Sequence, residues 1–284
     1  MVKVITTTDE LIQNRIEEKS DVGFVPTMGN LHDGHISLLE TALKDLSTVY
    51  FSIFVNPKQF GPDEDFKRYP RTLKDDISLI ESMMHQFPNS KVIVYAPKET
   101  KEVFPDTFSH TISVEGLSKI LEGEIRPGHF DGVTTVVYRL FELVKPKKAY
   151  FGLKDYQQLM VIKQMVRDLA LPVDVVGLPI IREQNGLAFS SRNQFLSPDE
   201  RIKSLTLSKT LEEVAALINK KRSNLAIAKS RIEKSLQDKN WNYLEIRDAE
   251  TLGEDLSRSS KLTLLGVYQL GSTRLLDNLQ MEIE

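Results

Sequence analysis

VGFVPTMGNLHDGHISLLETALKDLSTVYFSIFV, residues 22–55, decides the fold class. VGFVPT (22–27) is a short apolar run, residues 35–46 set Ile36, Leu39, Leu43 and Leu46 at helical spacing, and TVYFSIFV (48–55) is apolar without alternation. A segment of period 3.6 between two such runs predicts strand, helix, strand. A strand with no polar face is one covered on both sides, as parallel strands are. The linking turn, Pro26-Thr27-Met28-Gly29-Asn30-Leu31-His32-Asp33-Gly34-His35, therefore joins a buried strand to a helix.

The same alternation extends outward. VKVI (2–5) and a helical segment near 9–19 precede it. Helices are predicted at about 72–85 (Leu73, Ile77, Ile80, Met84), 132–144 (Val133, Val136, Val137, Leu140, Val144) and 155–169 (Leu159, Ile162, Val166, Leu169), with strands at VIVYA, KAYFG and VDVVG among them. Repeated strand and helix predict an open, doubly wound α/β sheet whose ligands bind beyond the carboxyl ends of the strands. After Pro179 the texture changes. IIRE, Asn185-Gly186 and LAFSS read as a small hairpin or turn; 198–218 and 223–237 read as helices, the first with Ser197 as N-cap and Pro198 in its first turn. WNYLEIRD, KLTLLGVYQL and TRLLDN read as strands of an antiparallel sheet. The expected organisation is a parallel-sheet domain over 1–178 and a smaller α+β domain over 179–284.

Composition narrows the function. With 37 Lys and Arg against 40 Asp and Glu in 284 residues, the net charge is −3, so no global basic field recruits nucleic acid or anionic lipid, and an anionic ligand needs a local site. The absence of cysteine excludes disulfides, thiolate zinc sites and a cysteine nucleophile, and is compatible with a reducing compartment. MVKVITTTDE lacks the apolar core of a signal peptide, and no run approaches the roughly 20 apolar residues of a membrane span. A cytoplasmic protein with no membrane or nucleic-acid partner is expected.

Five segments carry polar chemistry at positions where such folds bind ligands. In the 26–35 turn, small residues let backbone amides approach a phosphate, and His32 and His35 can donate to its oxygens. A lone histidine there would more often cap or pack; a pair three residues apart favours phosphate. The Gly-Lys-Ser/Thr ending of a Walker loop is absent. Phe54-Val55-Asn56-Pro57-Lys58-Gln59-Phe60-Gly61-Pro62 brings the neutral amides of Asn56 and Gln59 to the same sheet edge, suited to hydroxyls and a carboxylate. Its continuation, Glu64 to Thr72 with Tyr69, is a charged loop, either solvated surface or a lid. Arg126-Pro127-Gly128-His129-Phe130-Asp131-Gly132 reads as a rigid loop supporting a pocket, with His129 not itself reacting. Gly152-Leu153-Lys154-Asp155-Tyr156-Gln157-Gln158 again joins strand to helix, with Lys154 placed for phosphate and Asp155 as N-cap. Phe189-Ser190-Ser191-Arg192-Asn193 pairs two hydroxyls with a guanidinium, a set suited to phosphate oxygens.

PTMGNLHDGH, FVNPKQFGP, YPRT, RPGHFDGV, YFGLKDYQQL and SSRN occur here in one order, and this order closely resembles the pantoate–β-alanine ligase family from Phe24 to about Asn193. The resemblance implies a Rossmann-like nucleotidyltransferase domain with a His-x-x-His signature, a smaller carboxyl-terminal domain that covers the site, and a homodimer. It implies ATP and Mg²⁺ as co-substrate and cofactor, pantoate and β-alanine as substrates, and reaction through a pantoyl adenylate with release of AMP and pyrophosphate. Carried over by position, Met28, Gly29, Asn30, Leu31, His32, Asp33, Gly34 and His35 form the ATP turn, and Gly152, Leu153, Lys154, Asp155, Ile181, Phe189, Ser190, Ser191 and Arg192 complete the ATP contacts. His35, His32, Lys154 and Arg192 are the catalytic set. Gln59 and Gln158 bind pantoate, and Asn56, Tyr69 and Arg126 are further pocket positions. Asp75 and Asp76 lie near an acidic position tied to magnesium in some relatives, and no metal ligand is assigned. Leu153 and Phe189 depart from the family's usual residues, so packing on the adenine side is expected to differ. Two alternatives share parts of this pattern: a nucleotidyltransferase that keeps the nucleotide in its product, which leaves FVNPKQF and Gln157-Gln158 unexplained, and a nucleotide-sensing module without catalysis.

Overall fold

A computed structural model describes every residue of the chain except Asp63. Contacts divide it into two compact units, the first of residues 1–152 and 158–179, the second of 153–157 and 180–284. The first holds six parallel strands, β1 (Val2–Ile5), β2 (Gly23–Thr27), β3 (Thr48–Ile53), β4 (Lys91–Tyr95), β5 (Lys148–Gly152) and β6 (Asp174–Leu178), in the order β1-β4-β3-β2-β5-β6. The helices between them are α1 (Thr8–Glu17), α2 (Asp33–Asp45), α3 (Leu73–Met84), the short α4 (Thr100–Val103) and α5 (Glu122–Ile125), α6 (His129–Val144) and α7 (Tyr156–Asp168). The doubly wound parallel sheet expected from the alternation is present.

Both faces of the central strands are covered, which is why their sequences carry no polar alternation. Val25, Val49, Phe51, Val92 and Val94 pack with Leu38, Leu39, Ala42 and Leu43 of α2 and Ile80, Met83 and Met84 of α3. On the other face Phe24 meets Phe141 of α6 edge-on at 6.1 Å. Chain order reverses between β2 and β5. There β2 pairs with β3 over five residues, but with β5 only through Gly23 and Phe24. The two strands thus part toward their carboxyl ends, opening the sheet at the topological switch point, where ligands of doubly wound folds bind.

In the second unit, β7 (Trp241–Asp248), β8 (Lys261–Leu270) and β9 (Thr273–Glu282) form an antiparallel sheet in that order, with α8 (Pro198–Lys203), α9 (Leu205–Ile218) and α10 (Leu225–Ser235). Leu207, Leu211, Val214 and Ile218, one stripe of α9, pack with Leu244, Leu262, Leu264 and Tyr268 of the sheet. Ser197 and Glu200 form a capping box ahead of α8. Two expectations are corrected here. The continuous helix over 198–218 is interrupted at Ser204, whose hydroxyl donates back to the Arg201 carbonyl at 2.7 Å. The helix expected from 132 starts at His129, so His129 and Phe130 belong to its buried first turn rather than to a loop. No helix among the described residues is long and apolar enough to cross a membrane.

Candidate active site

The 28–35 turn leaves the carboxyl end of β2 and is folded by bonds to its neighbours. Gly29 and Asn30 adopt left-handed φ angles of 81° and 51°. A Cβ on Gly29 would sit 3.0 Å from both Asp76 and Ile53, so this position needs glycine for space as well as for conformation. Asp76, buried in α3, accepts from the amides of Asn30 at 3.1 Å and Leu31 at 2.8 Å and from the Thr72 hydroxyl at 3.2 Å. Burial pushes its carboxyl above the usual range, against the pull of those donors. Asp76 is therefore a clamp on the turn, and neighbouring Asp75 is exposed.

His32 is the N-cap of α2, and capping fixes both imidazoles. Its Nδ1 accepts from the Gly34 amide at 3.2 Å, and Nδ1 of His35 accepts from the His32 amide at 3.3 Å. The rings lie 4.0 Å apart. A nitrogen that accepts carries no proton, so each neutral ring holds its proton on Nε2 and presents that edge as a donor. Capping engages Nδ1 of both rings, whereas donation to a phosphate, the alternative weighed from the sequence, would use Nε2.

Beyond β3, residues Pro57–Gln59 make one 3₁₀ turn capped by Asn56, whose oxygen accepts from the Lys58 amide. Asn56 is 1% exposed, and its amide group donates to Gln59 Oε1 at 3.0 Å and to the Gly132 carbonyl at 3.1 Å. Gln59 donates from Nε2 to the sulfur of Met28 at 3.2 Å, linking this turn to the histidine turn. Its backbone carbonyl lies 2.8 Å from His129 Nδ1, while His129 Nε2 lies 3.0 Å from an Arg126 nitrogen. Arginine has no acceptor, so Nε2 accepts and Nδ1 donates to Gln59. Burial and the adjacent guanidinium hold His129 neutral, its pKa lowered to about 4. Arg126 makes a two-point pair with Glu64 at 2.7 and 2.6 Å. Burial raises the Glu64 carboxyl, but Arg126 and the other groups around it, the Gly61 backbone among them, together hold it below its ordinary value.

Asn56 and Arg126, expected as pocket positions, are both hydrogen-bonded within the chain. Tyr69 is 6% exposed and packs edge-on against Phe60, which also meets Phe66 at 5.3 Å, so the charged loop is anchored from beneath by aromatic rings. Within the 126–132 segment His129 binds Arg126 through Nε2 and ties the segment to the Gln59 carbonyl through Nδ1. Gln158 lies in the first turn of α7, in the same unit.

Gly152 ends β5 in the first unit, and the remaining candidates belong to the second. Leu153–Asp155 form a 3₁₀ turn directly after β5, and the Lys154 ammonium is 3.4 Å from Asp155. The carbonyls of Leu153 and Lys154 both accept from Nδ2 of Asn278, each at 2.8 Å. Ile181 and Phe189 are joined by the Phe189 amide and the Ile181 carbonyl at 3.0 Å, across the Arg182–Ala188 bridge of the small hairpin. Ser190 caps the 3₁₀ turn Ser191–Phe195, its hydroxyl accepting from the Arg192 amide at 3.3 Å. Among the described residues no three His, Asp or Glu side chains cluster as a metal cage.

The pantoate-beta-alanine ligase family model matches residues 1–280. The chain belongs to the pantoate–β-alanine ligase family. It is 43% identical to the pantothenate synthetase of Acetivibrio thermocellus over 286 aligned residues, covering all of this chain and 99% of that one. The crystal structure of the Thermus thermophilus enzyme superposes with a TM-score of 0.88 at 41% identity, covering 98% of this chain and 99% of that chain. The Francisella tularensis ligase, solved with β-γ ATP and β-alanine, gives a TM-score of 0.69 at 30% identity over 98% and 97%. The chain is thus an enzyme of the ligase class with the fold of these relatives.

Proposed function

We propose that this ligase condenses (R)-pantoate with β-alanine in two steps at the expense of ATP. The pantoate carboxylate attacks the α-phosphorus, pyrophosphate leaves, and the amine of β-alanine then attacks the pantoyl adenylate and releases AMP. The observation that carries the reading is the pair of histidines in the turn beyond β2, whose capping bonds put the protons on Nε2. Two such donors, fixed before the nucleotide arrives, stabilise charge that grows on the leaving phosphates without reorganising. Met28 to His35 receive ATP with the two imidazoles as donors, since the amides of Gly29 to His32 and of Gly34 are spent on bonds that shape the turn. Lys154 and Arg192 supply the phosphate-facing cations, and Gly152, Leu153, Asp155, Ile181, Phe189, Ser190 and Ser191 line the nucleotide. Gln59 and Gln158 hold pantoate by neutral hydrogen bonds. We assign Asn56, Arg126 and Tyr69 to setting the position of Gln59 and its loop.

Among the described residues the chain forms no magnesium cage, and Asp76 is spent on the turn. A divalent ion is accordingly proposed to arrive with the ATP phosphates, the usual manner of Mg²⁺ at such sites, and no step is routed through it. Family membership supports a homodimer and a cytoplasmic setting.

The test supplies ATP, Mg²⁺ and pantoate with and without β-alanine. AMP, pyrophosphate and pantothenate are expected in equal amounts, with one turnover of pyrophosphate before the amine is added; ADP and phosphate would exclude the mechanism. In single turnovers His35→Ala should slow adenylation by about 10²- to 10³-fold, the usual loss for one preorganised donor. Gln59→Ala should instead raise the pantoate requirement and leave ATP binding intact.

A further inference from the structure

Asp277 and Asn278 lie side by side in β9, which among the described residues pairs with β8 alone and so forms an edge of the antiparallel sheet. Each is only 2% exposed. A buried carboxylate and a buried amide are costly in a strand unless each is fully engaged. Here the engagements go to the two segments assigned to the nucleotide. Both hydrogens of the Asn278 amide are used on one turn, donating to the carbonyls of Leu153 and Lys154 at 2.8 Å each. Asp277 accepts two bonds from the Arg182 guanidinium, at 2.6 and 3.0 Å. Arg182 also donates to the Gly186 carbonyl at 3.1 Å and bridges to Ala188, so it closes the hairpin that leads into Phe189–Arg192. The backbone amide of Asn278 donates to the Asp277 carboxylate at 2.8 Å, tying the two side-chain systems through one peptide unit.

We propose that the Asp277–Asn278 pair is a positioning device for the phosphate cations, with Asn278 fixing the backbone from which Lys154 projects and Asp277 fixing, through Arg182, the hairpin that carries Arg192. The inference rests on the reading of Lys154 as a phosphate contact. Its physical basis is that a lysine ammonium stands on a flexible four-carbon stem, so the accuracy of the charge depends on how firmly the backbone beneath it is held. Leu153 and Lys154 lie in a turn between strand and helix, where backbone carbonyls lack ladder partners. One amide side chain supplies two donors to them and stops the turn from rotating. Asparagine is the fitting residue, since aspartate at 278 would set a negative charge against two carbonyl oxygens.

A double-mutant cycle decides the matter, read as the single-turnover rate of pyrophosphate formation with thermal melts alongside. Asn278→Asp should slow this step by about 10- to 10²-fold, the scale of a displacement near 1 Å. Asn278→Ala, which removes the two donors without adding charge, should fall in the same direction and carries the cycle if the aspartate variant does not fold. In a Lys154→Ala background, itself slowed by about 10²-fold or more, either change should cost less than about twofold, because a group that acts through Lys154 has nothing left to position. A purely structural role would lower the active fraction equally in both backgrounds, and that result overturns the proposal. Wild-type rates in the Asn278 variants with a slow Lys154→Ala also overturn it. A wild-type rate in Lys154→Ala alone would overturn the reading of Lys154, and the positioning role with it, and is told apart by that single variant.

Discussion

Replacing Asp76 by asparagine separates a clamp from a metal ligand. The carboxylate accepts three bonds, two at Oδ1 from Leu31 and Thr72 and one at Oδ2 from Asn30. Asparagine has the same shape but one acceptor. With its oxygen in the Oδ1 position it keeps Leu31 and Thr72, and its NH₂ then faces the Asn30 amide, donor against donor. Losing a bond to a charged acceptor and leaving a buried donor unmet costs about 1.5–3 kcal/mol. Relief from burying a carboxylate that burial already disfavours returns part of this. A net loss of about 1–2 kcal/mol follows, which lowers the melting temperature by about 2–8 °C at this unit's size. The pH dependence has a defined sign. Because the folded pKa of Asp76 is raised, its proton-linked stabilisation is greatest below the ordinary carboxylate range and is lost as pH rises through the folded value; the asparagine variant lacks that slope. The single tryptophan, Trp241, reports the other unit, so far-UV circular dichroism is the signal to follow. Looser anchoring of the histidine turn should slow adenylation by about 10-fold or more at unchanged Mg²⁺ dependence. An unchanged melting temperature together with a raised Mg²⁺ requirement would refute the clamp and make Asp76 a metal ligand.

The other predictions concern the support of Gln59. With His129 neutral in the fold and its pKa lowered to about 4, the unfolded chain binds this proton more tightly, so the residue's share of stability is complete above about pH 6.5 and is lost between there and about pH 4, on the order of 3 kcal/mol. His129→Gln, which can still donate and accept, should flatten urea midpoints over that window and retain much of the pantoate affinity, whereas His129→Ala should raise the pantoate KM; equal slopes in wild type and His129→Gln would contradict the tautomer and burial assigned here. Gly132→Ala would place a Cβ 2.2 Å from the Lys58 carbonyl oxygen and 2.6 Å from the Gln59 nitrogen. Both are backbone atoms, so the 3₁₀ turn must move, with an expected loss of about 1–3 kcal/mol in denaturant unfolding and a raised pantoate KM at unchanged ATP affinity; wild-type values for both would show the turn to be free to shift.

How much of this was legible in the chain depended on distance along it. The parallel sheet was written locally, in apolar runs such as 48–55 and helical spacings such as Leu39 and Leu43, because each strand is covered on both faces. The histidine turn was legible for the same reason, since its residue types and its place after a strand lie within ten positions. Gly128 and Gly132 misled the reading of α6. Glycine usually signals a loop, but Gly132 sits inside the helix because the 57–59 backbone packs where its Cβ would be. The clamps were out of reach altogether. Asp76 meets a turn 45 residues away and Asn278 one 124 residues away, and neither carries a local pattern that announces its partner. Their acidic and amide side chains look like ordinary helix surface and ordinary strand until the fold brings the carbonyls and amides to them.

The central claim is that an oxygen of the pantoate carboxylate becomes bonded to the α-phosphorus, so that the carboxyl is activated as an adenylate. Pantoate labelled with ¹⁸O in its carboxylate tests this most directly. One labelled oxygen becomes the bridge of the adenylate and stays with phosphorus when the amine of β-alanine displaces it, so the account predicts AMP carrying one ¹⁸O per pantothenate formed, detectable by mass spectrometry. Unlabelled AMP, with the label in inorganic phosphate or retained wholly in pantothenate, would contradict it.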